Sequence, residues 1–538
     1  MSPLALLPSA SDYRGLRRTW KGDLLAGVTV GIVALPLALA FGVSSGAGAE
    51  SGLVTAIVAG VVAAVFGGSN VQVSGPTGAM VVVLAPILAE RGTGALATVC
   101  LLAGLIVLLA GALRLGRTVG YIPWPVIEGF TLGIAVIIFL QQVPTATGTQ
   151  PGDSTNAAIS AVQAVSTAAW PKTGWSLLLV AIVVVVMLAS QRLHPRFPAS
   201  LLAIVVASLA GLAMPVDRIG ALPSGLPAPS LPALDPASLL ALAGPAAAVA
   251  ALAAIESLLS ARVAATLADT GPYDADRELV GQGLASLAAG LFGGMPATGA
   301  IARTAVNVRA GGRTRLAAVT HGVLLLVIAL VGASVVSRIP LAALAGVLMV
   351  TACRMIAPST VRTVLRSTRS DAVVFCLTAV VTVSVDLIYA VLIGLLAAGF
   401  FALRQLARTS GVHREELPGP AAPGDERIAV FRLEGALFFG AAERMLERVA
   451  ALRDVEVVVI RMSQLQVLDA TGAQVITELI ASLERRGVTV LVKGIAPRHR
   501  GLAERVGVLA SLRHQNHLFD DLDAAVAHAR SHVARAAA

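Results

Sequence analysis

The chain has 538 residues, 56% of them hydrophobic and only 13% charged, with a formal net charge of +9. Soluble domains carry roughly 25% charged residues, so this balance excludes an ordinary soluble enzyme over most of the length. The excess of basic residues reads as cytoplasmic loops of a membrane protein rather than a nucleic-acid surface.

Residues 1–21 lack the apolar core of a cleaved signal peptide and carry Arg14, Arg17, Arg18 and Lys21 ahead of the first apolar run. They are predicted to be cytoplasmic. Residues 22–408 form a transmembrane region with fourteen predicted spans, at about 22–44, 51–68, 76–90, 93–113, 124–143, 174–191, 198–215, 239–268, 278–294, 300–311, 315–336, 340–356, 371–388 and 389–407. The third and tenth are short for a bilayer core of about 30 Å. Each can still cross if an extended piece before it supplies the remainder, which is tolerated only inside protein or along a wet cavity. Alternate loops are Arg-rich, among them those with Arg114 and Arg117, with Arg309, Arg313 and Arg315, and with Arg354, Arg362, Arg366 and Arg369. This bias predicts both termini on the cytoplasmic side.

The two halves repeat. Phe66-Gly67-Gly68 leads through an extended piece to Pro76-Thr77-Gly78-Ala79, and Phe292-Gly293-Gly294 leads to Ala297-Thr298-Gly299-Ala300. Tyr121-Ile122-Pro123 and Arg338-Ile339-Pro340 form a second matching pair. Seven spans per half is an odd number, so the second half must enter from the opposite side. This is an inverted-topology repeat, with two half-helices starting inside the membrane. Residues 409–426, rich in Pro and charge, read as a linker. Residues 427–538 read as one small α/β domain, with strands near 428–433, 455–461 and 488–492 and helices near 440–452, 471–486 and 519–535.

Four stretches, Gly31–Gly42, Val71–Gly78, Arg277–Gly283 and Gly311–Thr314, resemble the sulfate permease (SulP) family of anion transporters. Arg432–Gly440 with Leu468–Gly472 is similar to that family's C-terminal STAS domain. The resemblance covers nearly the whole chain in order. It implies a core domain moving against a gate domain, in the fold shared with uracil permeases, and a homodimer.

A helix N-terminus carries roughly half a positive charge and unpaired N–H donors. Two such ends, at Pro76, Thr77 and Gly78 and at Ala300, Ile301, Ala302 and Arg303, are therefore predicted to hold one small anion. The competing reading is that Gly and Pro merely permit close helix packing. Arg303 lies within the first turn of the second half-helix, at membrane depth, where a charge is costly and usually functional; otherwise it snorkels out toward Arg309 and Arg313. In the resemblance it falls on the family's arginine at the anion site, and Phe41 falls on an aromatic flanking the substrate. Leu37 stands where the family often has Gln. Glu256 and Ser260 share one helix face, mid-span. Bacterial bicarbonate transporters resembling this stretch use an aspartate and a hydroxyl residue to bind sodium, so Glu in place of Asp shifts the expectation toward a proton, with sodium at Glu256 and Ser260 as the alternative. Thr471 occupies the position phosphorylated in anti-sigma antagonists that resemble the tail domain; the plainer reading is a helix cap.

Cys100, Cys353 and Cys376 lie in apolar runs and read as core residues, with neither a disulfide framework nor metal spacing. The eight histidines show no ligand spacing: His194 and His321 are isolated, and the others fall in the tail or its linker. No nucleotide-binding glycine loop is present and no catalytic constellation appears, so neither an ATP-driven pump nor an enzyme is expected. The expected function is secondary transport of a small anion by alternating access, without a cofactor and coupled to H+ or Na+. Bicarbonate or sulfate leads, and a C4-dicarboxylate is the next choice. The expected setting is the plasma membrane, with a cytoplasmic regulator on the STAS domain and no nucleic acid as partner. The rival readings are a membrane sensor or scaffold signalling through its STAS domain and an uncoupled anion channel.

Overall fold

The computed structural model describes residues 6–537 except 14, 155, 194–197, 223–224, 233–234, 268–270, 272, 386, 410 and 438–453. Contacts divide the chain into two units, 1–395 and 396–538.

The first unit is helical. It runs through α1 (Leu16–Ser44), α2 (Ala49–Phe66), β1 (Ser74–Gly75), α3 (Gly78–Arg91), α4 (Ala95–Ala112), α5 (Trp124–Gln141), α6 (Val143–Thr147), α7 (Ala157–Ser166), α8 (Lys172–Leu193) and α9 (Ala199–Ala210). It continues with α10 (Pro236–Leu267), α11 (Ala275–Leu291), β2 (Thr298–Gly299), α12 (Ile301–Arg309), α13 (Arg315–Val336), α14 (Leu341–Met355), α15 (Pro358–Arg366), α16 (Arg369–Ser384) and the start of α17 (Leu387–Thr409). Nine helical stretches among the described residues are long and apolar enough to cross a membrane. The remaining predicted spans correspond to the shorter α3, α9, α11, α12 and α16. Helices α6, α7 and α15 were not anticipated. Only Cys100 is buried; Cys353 and Cys376 are exposed. Apolar residues on the outer face of a membrane helix are solvated by lipid, so an apolar run does not by itself mark the protein core.

The helices sort into two groups. In one, α11 packs on α4 and α2, and α1 packs on α13 and α2. In the other, α5 packs on α16 and α14, and α8 packs on α9 and α14. Small residues set the closest approach: a Cβ on Gly283 would sit 2.5 Å from the backbone nitrogen of Leu108 on α4, which is the packing device expected where lipid supplies no hydrophobic drive. The repeated anchors also match in shape. Pro123 and Pro340 cap α5 and α14 with φ, ψ of −65°, 142° and −67°, 137°.

Charges inside this unit cap helix ends. Arg315 Nη1 donates to the carbonyls of Ala64, Val65 and Gly67, and Arg277 Nε donates to Phe66 O, so two cations close the C-terminus of α2. Arg277 also pairs with Asp12 at 2.7 Å, and its hydrogen bond holds the Asp12 carboxyl down at about 2. Asp23, fully buried, accepts from Arg313 N (2.6 Å), Thr314 N (3.0 Å), Thr314 Oγ1 (2.7 Å) and Thr19 Oγ1 (2.7 Å), fixing the start of α13. Asp23→Ala strands these donors, at about 1–3 kcal/mol for a buried group left unsatisfied. It is expected to bring forward the loss of the monodisperse peak on heating in detergent, whereas alanine at the exposed Arg17 should leave the profile in place.

The second unit carries a five-stranded sheet in the order β3 (Gly411–Glu415), β4 (Ile428–Leu437), β5 (Val457–Leu468), β6 (Thr489–Lys493) and β7 (Leu518–Phe519). β3 is antiparallel to β4, and the other pairings are parallel. Side chains alternate across it with period two. Ala429, Phe431, Leu433, Val458 and Ile460 face the cluster containing α18 (Ala470–Arg485) and α19 (Pro497–Val506), while Ile428, Val430, Val457, Val459 and Leu491 face α20 (Leu522–Ala537). The segment read as a linker thus contributes a strand: Glu415 accepts from Arg432 and Arg461, so charge there belongs to an edge strand rather than a solvated loop. The helix predicted near 440–452 lies outside the described residues, as do Arg14, His194 and Phe438–Gly440.

Candidate functional site

β1 and β2 are two residues each, paired antiparallel, Ser74 with Gly299 and Gly75 with Thr298. Ala300 N extends the pairing to Val73 O at 2.9 Å. Each strand delivers the chain into a helix that starts well inside the unit. At 1.5 Å per residue, the 14 residues of α3 and the 9 of α12 reach only about 21 and 14 Å. Thr77 and Ala300 are the N-caps, both in extended conformation, and neither gives its helix a side-chain cap. The first-turn N–H groups, with no acceptor within their own helices, therefore lie on either side of one short strand pair.

Buried side chains pin this arrangement. Gln72 Nε2 donates to Ser257 O, Gly299 N to Ser257 Oγ, Val73 N to Thr304 Oγ1 and Asn307 Nδ2 to Val71 O. Gln282 Nε2 bonds Ser74 Oγ (2.6 Å) and Glu278 Oε1 (2.8 Å), while Glu278 Oε2 accepts from Gly68 N and Ser69 N. Glu278, Gln282, Ser257, Thr298 and Thr304 escape a sequence reading that assigns roles by motif, although Glu278 and Gln282 lie within Arg277–Gly283. His321 on α13 is fully buried, with no hydrogen-bond partner for either ring nitrogen among the described residues.

Arg303 is 2% exposed. Its Nη2 donates to Pro76 O at 2.5 Å, and its Nη1 is buried without a partner among the described residues. It does not run out toward Arg309 and Arg313; it crosses from the second half-helix to the start of the first. Gly75 makes room for it. Its φ is +151°, and a Cβ there would lie 2.7 Å from Arg303 Nη1. Gly75→Ala therefore adds about 1–3 kcal/mol of backbone strain and displaces the guanidinium. The expected result is a severalfold rise in the KM for transported anion, measured from initial rates of uptake.

Glu256 Oε2 accepts from Thr77 Oγ1 (2.7 Å) and Thr298 Oγ1 (2.8 Å), one hydroxyl from each half. The two hydroxyls are 3.2 Å apart. Ser260, one turn along α10, turns to Thr304 Oγ1 instead, at 3.4 Å, so the structure joins Glu256 to Thr77 and Thr298 rather than to Ser260. A carboxylate flanked by two hydroxyls is a set of hard oxygen ligands suited to a small cation, or a site for a proton. Phe41 is buried against the tip of α3, its Cε1 3.5 Å from where a Gly78 Cβ would stand. Ile301 and Ala302 are exposed on the first turn of α12, and Ala300 is buried behind them. In the second unit, Asp469 caps α18 by accepting from Gly472 N at 2.7 Å. Thr471 is exposed beside it and is not the cap.

Residues 20–378 match the family model described as the sulfate permease family, and residues 419–525 match the STAS domain. The chain is 34% identical to the putative sulfate transporter YvdB of Bacillus subtilis, over 93% of this chain and 96% of that one. It is 30% identical to the bicarbonate transporter BicA of Synechocystis, over 94% and 93%. Among solved structures, the transmembrane domain of a cyanobacterial BicA superposes with a TM-score of 0.64 at 32% identity, covering 71% of this chain and 98% of that one. The murine Slc26a9 anion transporter in its inward-facing state superposes with a TM-score of 0.85 over 98% and 94%, a likeness of fold alone at 17% identity.

Proposed function

The chain belongs to the sulfate permease family, and on that premise we propose that it is a secondary active transporter that carries a small anion by alternating access. The observation that carries this reading is the pair of half-helix N-termini bound back to back by β1 and β2, with Arg303 Nη1 buried between them and without a partner among the described residues. Helix ends and a guanidinium offer fixed donors to an oxyanion without enclosing it in a full ionic cage. Phe41 and the exposed Ile301 and Ala302 supply an apolar flank beside the buried donors.

The substrate is bicarbonate or sulfate, the chemistry named for YvdB and BicA, with a C4-dicarboxylate as the next choice. Glu256, between Thr77 and Thr298, takes the coupling H+ or Na+. Because the same two hydroxyls sit at the tips of both halves, loading Glu256 is felt where the anion binds. The protein works as a multi-pass homodimer in the plasma membrane with both termini cytoplasmic. Thr471, exposed at the N-terminal turn of α18, is the point at which an added phosphate or a cytoplasmic partner acts on the STAS domain.

The test is uptake into proteoliposomes of purified protein. Radiolabelled bicarbonate, sulfate and fumarate are offered separately under a proton gradient, a sodium gradient or neither. Uptake of one anion driven by one gradient is the expected result. Flux that ignores both gradients and follows membrane voltage alone would replace the transporter by a channel.

A further inference from the structure

Four of the eight histidines gather in the tail domain. His514 and His517 lie on the segment entering β7, and His528 and His532 lie one turn apart on α20. An i, i+4 pair faces one side of a helix, and the short connection from β7 to α20 folds the earlier histidines over that side. The ring centroids of His517 are 5.6 Å from His528 and 5.5 Å from His532, and those of His528 and His532 are 4.9 Å apart. The expectation that the histidines lack ligand spacing is therefore corrected by the fold. The His-x-x-x-His pair on a helix was the signal in the sequence; the third residue comes from another element.

We propose that His517, His528 and His532 form a binding site for a divalent transition metal of zinc's chemistry. Each contributes one ring nitrogen, and these nitrogens all lie within 4.8 Å of one another. Tetrahedral zinc with Zn–N bonds of 2.0–2.1 Å places its ligand nitrogens about 3.3 Å apart. Nε2 of His528 and Nε2 of His532 are already 3.2 Å apart. His517 is 2% exposed, and its Nδ1 has no hydrogen-bond partner among the described residues, an arrangement that costs free energy unless something fills it. His528 and His532 are half-buried, so the open position faces solvent. His514, exposed with its ring 5.6 Å from that of His517, or a water completes the set. An all-imidazole set suits zinc, copper or nickel and not magnesium or calcium, which require oxygen ligands. Bound metal would fasten α20 to the strand at the edge of the sheet. Nothing in this site depends on the anion-binding residues.

The experiment uses the full chain, purified through a tag without histidine, stripped with EDTA and exchanged into chelator-free buffer. Zinc chloride is titrated against a chromophoric zinc indicator, and cobalt chloride is added to a parallel sample. One zinc per chain, and a visible cobalt band saturating at one equivalent, are expected. His528→Ala and His532→Ala should weaken zinc binding by at least the roughly 10–100-fold lost when mere outer-shell partners of metal ligands are changed. His413→Ala, on β3, should leave it unchanged. The cobalt titration of the unmodified chain requires no variant to fold, and absence of a saturating band overturns the proposal. So does zinc binding that survives both alanine variants.

Discussion

Arg303→Ala is expected to reduce the initial rate of anion uptake by about 30-fold to a few thousandfold. Truncating one partner of a buried, hydrogen-bonded charge costs about 2–5 kcal/mol, and each 1.4 kcal/mol is about tenfold. Two effects combine at this residue. The bond from Nη2 to Pro76 O holds the start of α3 in place across β1 and β2, and the buried Nη1 is a cationic donor without an acceptor among the described residues. A desolvated guanidinium in that state gains most when an anion arrives. Arg303→Lys keeps the charge but loses the planar fork, so it should retain more uptake than alanine while raising the KM. Size-exclusion and thermal profiles in detergent separate misfolding from loss of binding. A folded Arg303→Ala protein that transports within twofold of the parent, at the same KM, would remove Arg303 from the site.

Glu256→Gln is expected to abolish the dependence of uptake on the driving gradient while leaving exchange of labelled for unlabelled anion within severalfold. Glutamine has the shape of glutamate, and its carbonyl oxygen can accept from Thr77 Oγ1 and Thr298 Oγ1 as Oε2 does now. What it lacks is the charge, and with it the capacity to take up a proton or to attract sodium. Glu256→Ala is the harsher change. It leaves two hydroxyls without their shared acceptor, at about 1–3 kcal/mol for a buried group left unsatisfied, and should reduce exchange as well. If the glutamine protein still concentrates anion under the same gradient, coupling resides elsewhere.

The two half-helices and the extended pieces before them were legible because their signals are local. The Phe-Gly-Gly and Thr-Gly-Ala pieces mark where a helix stops and another starts, and Pro123 and Pro340 cap their helices with nearly equal dihedrals. Short apolar, β-branched-rich runs likewise marked the strands expected near 428–433 and 455–461, which extend to Ile428–Leu437 and Val457–Leu468 and begin with residues buried on both faces. The surroundings of Glu256 were not legible. Its two partners come from other segments, Thr77 being 179 residues away, and Ser260, the neighbour favoured by helical spacing, bonds Thr304 instead. Gly411–Glu415 was hidden for a different reason: an edge strand with intermediate or exposed side chains has the composition of a linker. Helical spacing can show which residues share a face; it cannot show what the fold brings against that face.

The strand pair of Ser74–Gly75 with Thr298–Gly299 also has a consequence for how the protein is made. A nascent chain that has threaded its first half into the bilayer already contains Gln72, Ser74 and a broken span, but not the Ser257 carbonyl, Gln282 amide and Thr304 hydroxyl that bond Gln72, Ser74 and Val73 N. Unpaired backbone groups in hydrocarbon cost several kcal/mol each, so the first half must wait, sheltered in water or by the insertion machinery, until β2 and α12 emerge. Folding of the membrane unit is thereby expected to depend on completion of α12 rather than to proceed span by span.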